Sequence, residues 1–204
     1  GLEMVIKRIP AGIYAANCYI IMDESTKDAV VIDIGGDEDD IIKAVEALSA
    51  NVKAILLTHG HLDHVDGVMG FKNVYDAPVY IIGKDQELME KEAYMFGSFE
   101  GKKADHDVND GDIIKAGTIT VKAIATPGHT PGGMCYLIGN DIFTGDTLFL
   151  RSVGRTDGPG GSHEVLISAI HTKLMKLDDN VKVWCGHGQG TTIGNERVLN
   201  LSLI

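Results

Sequence analysis

The segment Ala54-Ile-Leu-Leu-Thr-His59-Gly-His61-Leu-Asp63-His64-Val-Asp66-Gly67 constrains this chain more than any other. An apolar run of strand type stops at Leu57, and His59, His61, Asp63 and His64 follow at once. A short polar loop at a rigid strand end is where scaffolds display reactive groups. Alternate residues of an extended or turning backbone project the same way. His59 and His61 can therefore reach one ion, while Asp63 and His64 are aimed at a second. Imidazole mixed with carboxylate suits Zn²⁺, Fe²⁺ or Mn²⁺. One loop rarely completes such a site, so the fold must bring further ligands to it.

Three residues have the right setting. His129 lies in Thr126-Pro-Gly-His129-Thr-Pro-Gly-Gly, Asp146 in Phe143-Thr-Gly-Asp146-Thr, and His187 in Val183-Trp-Cys-Gly-His187-Gly. Each follows an apolar run and stands beside glycine, which lets the backbone bend a side chain toward a shared pocket. The resulting scheme gives His59, His61 and His129 to one ion and Asp63, His64 and His187 to another, with Asp146 bridging ions ~3.5–4 Å apart. Two cations acidify a shared water, so the expected nucleophile is a metal-bridging hydroxide, with Asp63 both a ligand and a proton carrier. Such a site hydrolyses a carbonyl or phosphoryl group without a serine or cysteine nucleophile. Five of the eight histidines are absorbed by this scheme.

The rest of the chain reads as α/β. Strands are expected at Cys18–Met22, Ala29–Ile34, Val52–Leu57, Val79–Ile82 and Val181–Cys185. Hairpins are expected over Ile113–Lys115 with Thr118–Ala125, and over Met134–Ile138 with Asp141–Thr144. Helical spacing marks Asp39–Leu48, Asp85–Tyr94, Glu164–Leu177 (capped by Ser162 or His163) and Asn195–Leu201. Hairpins mixed with βα crossovers imply sheets that are partly antiparallel. No repeat or linker divides residues 4–204, so a single domain is expected.

Composition removes several function classes. The formal charge of −11 suits neither a nucleic-acid nor an anionic-membrane binder. No apolar run approaches the ~18 residues that span a bilayer, and no secretory leader is evident, which points to the cytoplasm. Cys18, Cys135 and Cys185 are odd in number, far apart and form no Cys-x-x-Cys pair, as in a reducing compartment. Asp105–Asp112 mimics a calcium loop, but its glycine is one place late, so it is read as a polar turn. His106, His163 and His171 lack ligand neighbours. Asp66 is read as a first-turn helix residue and Cys185 as core.

Thr58-His-Gly-His-Leu-Asp-His, Pro127-Gly-His-Thr-Pro-Gly, Phe143-Thr-Gly-Asp-Thr-Leu-Phe and Gly186-His-Gly resemble, in order, the motifs of the metallo-β-lactamase superfamily. Val31-Ile-Asp33-Ile-Gly resembles its first motif, which implies that Asp33 supports the metal loop from behind. The resemblance implies an αββα sandwich, two mixed sheets face to face with helices outside and metals at one sheet edge.

Within that superfamily, Ser152-Val-Gly-Arg155-Thr-Asp, Pro159-Gly-Gly and His187-Gly-Gln-Gly-Thr-Thr-Ile-Gly-Asn-Glu-Arg197 are similar to the glyoxalase II-like hydrolases. The implied activity is thioester hydrolysis, with two divalent ions, zinc first and iron or manganese as alternatives. The implied partner is a small thioester, anionic or not, and Arg155 matches a residue that grips the carboxylate of glutathione. Two departures weaken strict glutathione specificity: Gln189 stands where glyoxalase II has tyrosine, and only a short tail follows His187. Asp146, where several lactamases place cysteine, argues against antibiotic hydrolysis. The rivals are a mononuclear iron persulfide dioxygenase using His59, His129 and Asp146, another ester or lactone hydrolase of the same fold, and a metal-bound scaffold without activity.

Overall fold

A computed structural model describes residues 3–204. In chain order its elements are β1 (Met4–Ala11), β2 (Ala16–Asp23), β3 (Asp28–Ile32), α1 (Glu38–Leu48), β4 (Asn51–Leu56), α2 (Leu62–Val65), α3 (Val68–Lys72), β5 (Val79–Ile81), α4 (Gly83–Glu90) and β6 (His106–Asp107). They continue as β7 (Ile113–Ala116), β8 (Ile119–Ala125), β9 (Met134–Ile138), β10 (Asp141–Gly145), β11 (Leu148–Phe149), β12 (Ser152–Val153), α5 (His163–Ala169), β13 (Lys182–Cys185), β14 (Thr191–Thr192) and α6 (Ile193–Leu199).

Two six-stranded sheets run in the orders β1-β2-β3-β4-β5-β6 and β14-β13-β10-β9-β8-β7. Both are mixed. β3, β4, β5 and β6 are parallel neighbours, and β10 is parallel to β13, while the hairpins around them are antiparallel.

The strand period of two sorts side chains into layers. Along β2, Tyr19 and Ile21 face the second sheet, where they meet Val121, Ala123, Tyr136 and Phe143. Cys18, Ile20 and Met22 of the same strand point the other way, onto Ile41 and Val45 of α1 and Val68 and Phe71 of α3. The second sheet repeats this: Cys135, Ile142 and Val183 pack beneath Leu166 and Ile170. Every residue of β2 is buried because helices and a partner sheet cover both of its faces. This is the four-layer αββα sandwich.

Several boundaries differ from the sequence reading. The expected helix Glu164–Leu177 is α5 followed by a π-helical turn over Ile170–Leu174. Ser162 caps it, its hydroxyl accepting the Val165 amide. The helix expected to reach Tyr94 ends at Glu90, because Met95 and Phe96 are drawn to the histidine loop: Leu62 N donates to Met95 O, and Phe96 bridges to His61. The polar turn at Asp105–Asp112 contains the short edge strand β6. Strand β1 was not anticipated, since Lys7, Arg8 and Pro10 break its apolar pattern, as suits an edge. Asp66 follows α2 rather than opening a helix, and its carboxylate accepts the Ser98 amide.

Candidate metal centre

Five strands deliver the site at one edge of the sandwich. Asp33 follows β3, His59 and His61 follow β4, His129 follows β8, Asp146 follows β10 and His187 follows β13. Asp63 and His64 ride on α2, whose single turn begins where the loop leaves the sheet. Gly145 lets β10 close on β4. Its φ is +52°, and a Cβ there would lie 2.5 Å from Thr58 Oγ1.

The side chains form two donor groups. His59, His61 and His129 make one, and Asp63, His64, Asp146 and His187 the other, with the ligand atoms of each within 4.8 Å of one another. Asp146 stands between them. Its Oδ2 lies 3.3 Å from His64 Nε2, 3.5 Å from His129 Nε2 and 3.8 Å from His59 Nε2, while its Oδ1 lies 3.0 Å from His187 Nδ1. Asp63 Oδ2 is 3.2 Å from His187 Nε2. All seven predicted ligands therefore converge.

The buried hydrogen-bond pattern fits metal ions. Nε2 of His59, His61, His64 and His129 is buried without a hydrogen-bond partner among the described residues. Orphaned buried polar atoms are costly unless something fills the space between them. The opposite ring nitrogens fix which form each imidazole takes. His129 Nδ1 is 2.6 Å from the Arg155 carbonyl, which can only accept, so Nδ1 carries the proton and Nε2 the lone pair. His64 Nδ1 donates likewise to Asp33 Oδ2 at 2.7 Å. The Thr58 hydroxyl donates to Asp33 Oδ2, leaving its lone pair to accept from His59 Nδ1 at 2.9 Å. Each ring is thus turned so that a basic nitrogen faces the other ligands, as ligating histidines require.

The electrostatics differ between the groups. Burial pushes His59 well down and His61 down to about 4, with neighbouring imidazoles adding to the effect. Hydrogen bonds to Asp146 and Asp63 raise His187 to about 9. Burial opposes the charged form of His64, but Asp146 and Asp33 hold it well above its ordinary value. Burial likewise opposes ionisation of Asp146, and His64 and His187 outweigh it.

A cleft of about 690 Å³ opens over these groups. Tyr14, Tyr94, Met95 and Phe149 supply apolar wall, and Arg155 lies on the rim. Arg155 is not free there, since its guanidinium forms two hydrogen bonds with Asp157, at 2.7 and 2.8 Å. His106, His163 and His171 are exposed and take no part. The sequence reading missed the cleft wall and one buried acid, Asp85, whose carboxylate accepts from Gly60 N, Thr130 Oγ1 and Gly132 N. Its position just past a strand end was the available signal. An acid at a helix start has an ordinary explanation in the helix dipole, which hid it.

The sequence profile of the metallo-beta-lactamase superfamily matches residues 11–187. The hydroxyacylglutathione hydrolase GloC of Haemophilus influenzae is 39% identical over 206 residues, covering 97% of each chain. Among solved structures, the BLEG-1 B3 metallo-beta-lactamase aligns with a TM-score of 0.90 at 34% identity, over 98% of this chain and 99% of that one. TTHA1623 in a di-iron-bound form aligns with a TM-score of 0.84 at 29% identity, over 96% and 98%.

Proposed function

The chain belongs to the metallo-beta-lactamase superfamily, a fold family of metal-dependent hydrolases, and we propose that this member cleaves thioesters in the manner of glyoxalase II. The observation that carries the reading is the pair of donor groups that meet at Asp146, with Nε2 of His59, His61, His64 and His129 buried and without a hydrogen-bond partner among the described residues. The likeness to a hydroxyacylglutathione hydrolase supports the thioester as substrate class.

His59, His61 and His129 would hold one divalent ion, Asp63, His64 and His187 a second, and Asp146 would serve both. Ions held there supply Lewis acidity toward a carbonyl oxygen and a water acidic enough to attack near neutral pH. The chain's own groups do the rest. Asp33, Thr58 and the Arg155 carbonyl keep the rings in register. Tyr14, Tyr94, Met95 and Phe149 shelter an apolar part of the substrate from water. Asp63, on the cleft wall beside His187, would take a proton from the attacking water and return it to the leaving thiolate, a role its position supports. Zinc is the proposed metal, with iron or manganese as alternatives, since imidazole and carboxylate suit all three and a similar structure holds two irons. Three buried, unpaired cysteines support a cytoplasmic setting. Among the described residues no helix is long and apolar enough to cross a membrane.

A mononuclear iron persulfide dioxygenase stays in view because His59, His129 and Asp146 also converge on one point. Elemental analysis of the purified protein, with a panel of glutathione and non-glutathione thioesters and one β-lactam, separates the readings. Two metals per chain and thioester turnover abolished by chelation are expected. One iron per chain with O₂ uptake on a persulfide overturns the proposal.

A further inference from the structure

We propose that Asp85 is a positioning residue that assembles the three-histidine ligand group, by clamping together the two loops that carry it. His59 and His61 come from the loop after β4, and His129 from the loop after β8 in the other sheet. Asp85 is 0% exposed, at the start of α4, does not line the cleft, and bonds Gly60, Thr130 and Gly132 rather than any of the three histidines. Its Oδ2 accepts the amide of Gly60, the residue between His59 and His61, at 2.9 Å. The same oxygen accepts the hydroxyl of Thr130, the residue after His129, at 2.7 Å. Its Oδ1 accepts the Gly132 amide of that second loop at 2.7 Å. One carboxylate thus fixes the backbone on both sides of the group.

The surroundings are shaped to this contact. A Cβ on Gly132 would lie 2.6 Å from Asp85 Oδ1 and 2.3 Å from Ile82 Cγ2, so only glycine lets the loop approach. Buried polar donors left without an acceptor would be expensive, which gives the two loops a strong preference for this one arrangement. Asp33 does comparable work across both groups, bonding His64 directly and reaching His59 through the Thr58 hydroxyl. Asp85 differs in bonding only the two loops of the three-histidine group, through the Gly60 and Gly132 amides and the Thr130 hydroxyl.

The inference rests on the metal reading of the site and not on the thioester reading, and its test measures zinc. Stepwise zinc binding to the metal-free protein is followed by competition with a chromophoric chelator, and the step abolished by His61→Ala marks the three-histidine group. Asp85→Asn keeps the shape but replaces one acceptor oxygen by a donor. It is expected to weaken that step about 10–100-fold, the usual cost of removing a group that orients ligands, and to change the other step less than about threefold. Thr130→Val deletes one of the three bonds and should weaken the same step by a smaller factor. This second variant decides the matter if Asp85→Asn does not fold. Glu196→Gln is the control, because Glu196 is equally buried but bonds Arg151, Thr191 and Asn200. It should lower the melting temperature and leave both zinc steps unchanged. The proposal fails if the folded variants weaken both steps equally, or if the His61-dependent step is no weaker than in the unsubstituted protein.

Discussion

His64 Nδ1 lies 2.7 Å from Asp33 Oδ2, and both side chains are buried. Asp33 also has a φ of +58°, a left-handed conformation that asparagine tolerates better than alanine. Asp33→Asn is therefore the informative substitution. It preserves the backbone but has one acceptor oxygen, so it cannot accept from the Thr58 amide on one side and from Thr58 Oγ1 and His64 Nδ1 on the other, as the two carboxylate oxygens do. The expected result is a fold retained by circular dichroism and a zinc affinity lowered about 10–100-fold at the step that depends on His64. Unchanged affinity would mean that ring orientation is set by packing alone.

Asp146 Oδ2 lies 3.3 Å from His64 Nε2 and 3.5 Å from His129 Nε2, one from each donor group, so its loss should be felt by both. Asp146→Asn is expected to leave at most one zinc per chain and to lower thioester turnover by about 10²–10³-fold or more, the scale seen when a charge-stabilising group is removed. An independent readout needs no metal. Asp146 is the leading cause of the raised His187 value, so in the metal-free variant His187 should titrate below its present value of about 9, toward its ordinary 6.5. Titration of its ring protons by NMR checks this.

The candidate ligands were legible in the sequence because metal chemistry needs particular side chains just past strand ends, and those strands are strongly apolar. His59, His61, Asp63, His64, His129, Asp146 and His187 are placed together without exception. What periodicity could not reveal was sheet stacking. Tyr19 and Cys18 are both buried, so apolarity alone does not tell which one faces the second sheet. The sandwich came from the resemblance of the motifs to a family. Asp85 escaped because two of its three partners are backbone amides, and an acid just past a strand end also fits an ordinary helix start. The cleft wall escaped because Tyr14, Tyr94 and Phe149 come from separate segments that only the tertiary fold unites.

Zinc binding should release protons from His64 and His187 and none from His59 and His61. At pH 7 His59 and His61 are already neutral, whereas His64 and His187 hold their protons. Binding at the group with Asp63 and Asp146 must displace up to two protons, so its affinity should climb steeply from pH 6.5 to 9, up to about tenfold per proton per pH unit. His59 and His61 should release none over that range. Calorimetry in buffers of different ionisation enthalpy counts the protons directly.

The same shifts predict how the metal-free protein responds to pH. A raised histidine stabilises the fold fully below its unfolded value of 6.5, and that contribution is lost as pH climbs through the folded value, about 9 for His187. A depressed histidine works in the opposite sense. His61, at about 4, favours the fold above 6.5 and progressively less as pH falls toward 4. The site's contribution to stability should therefore peak near pH 6.5 without metal. Thermal melts of chelated protein from pH 4 to 9 test this, and a curve rising steadily to pH 9 would contradict it.

Arg155 and Asp157 have exposed side chains, at 76% and 67%, although their ion pair is bidentate. Exposed pairs of this kind contribute little to stability, so the guanidinium can exchange Asp157 for a carboxylate brought in by substrate. Its own backbone carbonyl holds His129, and replacing the side chain leaves that bond in place. Arg155→Ala should thus keep both zinc ions while raising KM for anionic thioesters about fivefold, with kcat and the KM of neutral thioesters unchanged. Asp157→Asn should act in the opposite direction, lowering KM for the anionic substrates by removing a competitor for the same guanidinium. Equal loss on charged and neutral substrates in Arg155→Ala would assign Arg155 to loop structure, and the cleft would then select its substrate through the apolar wall of Tyr14, Tyr94, Met95 and Phe149.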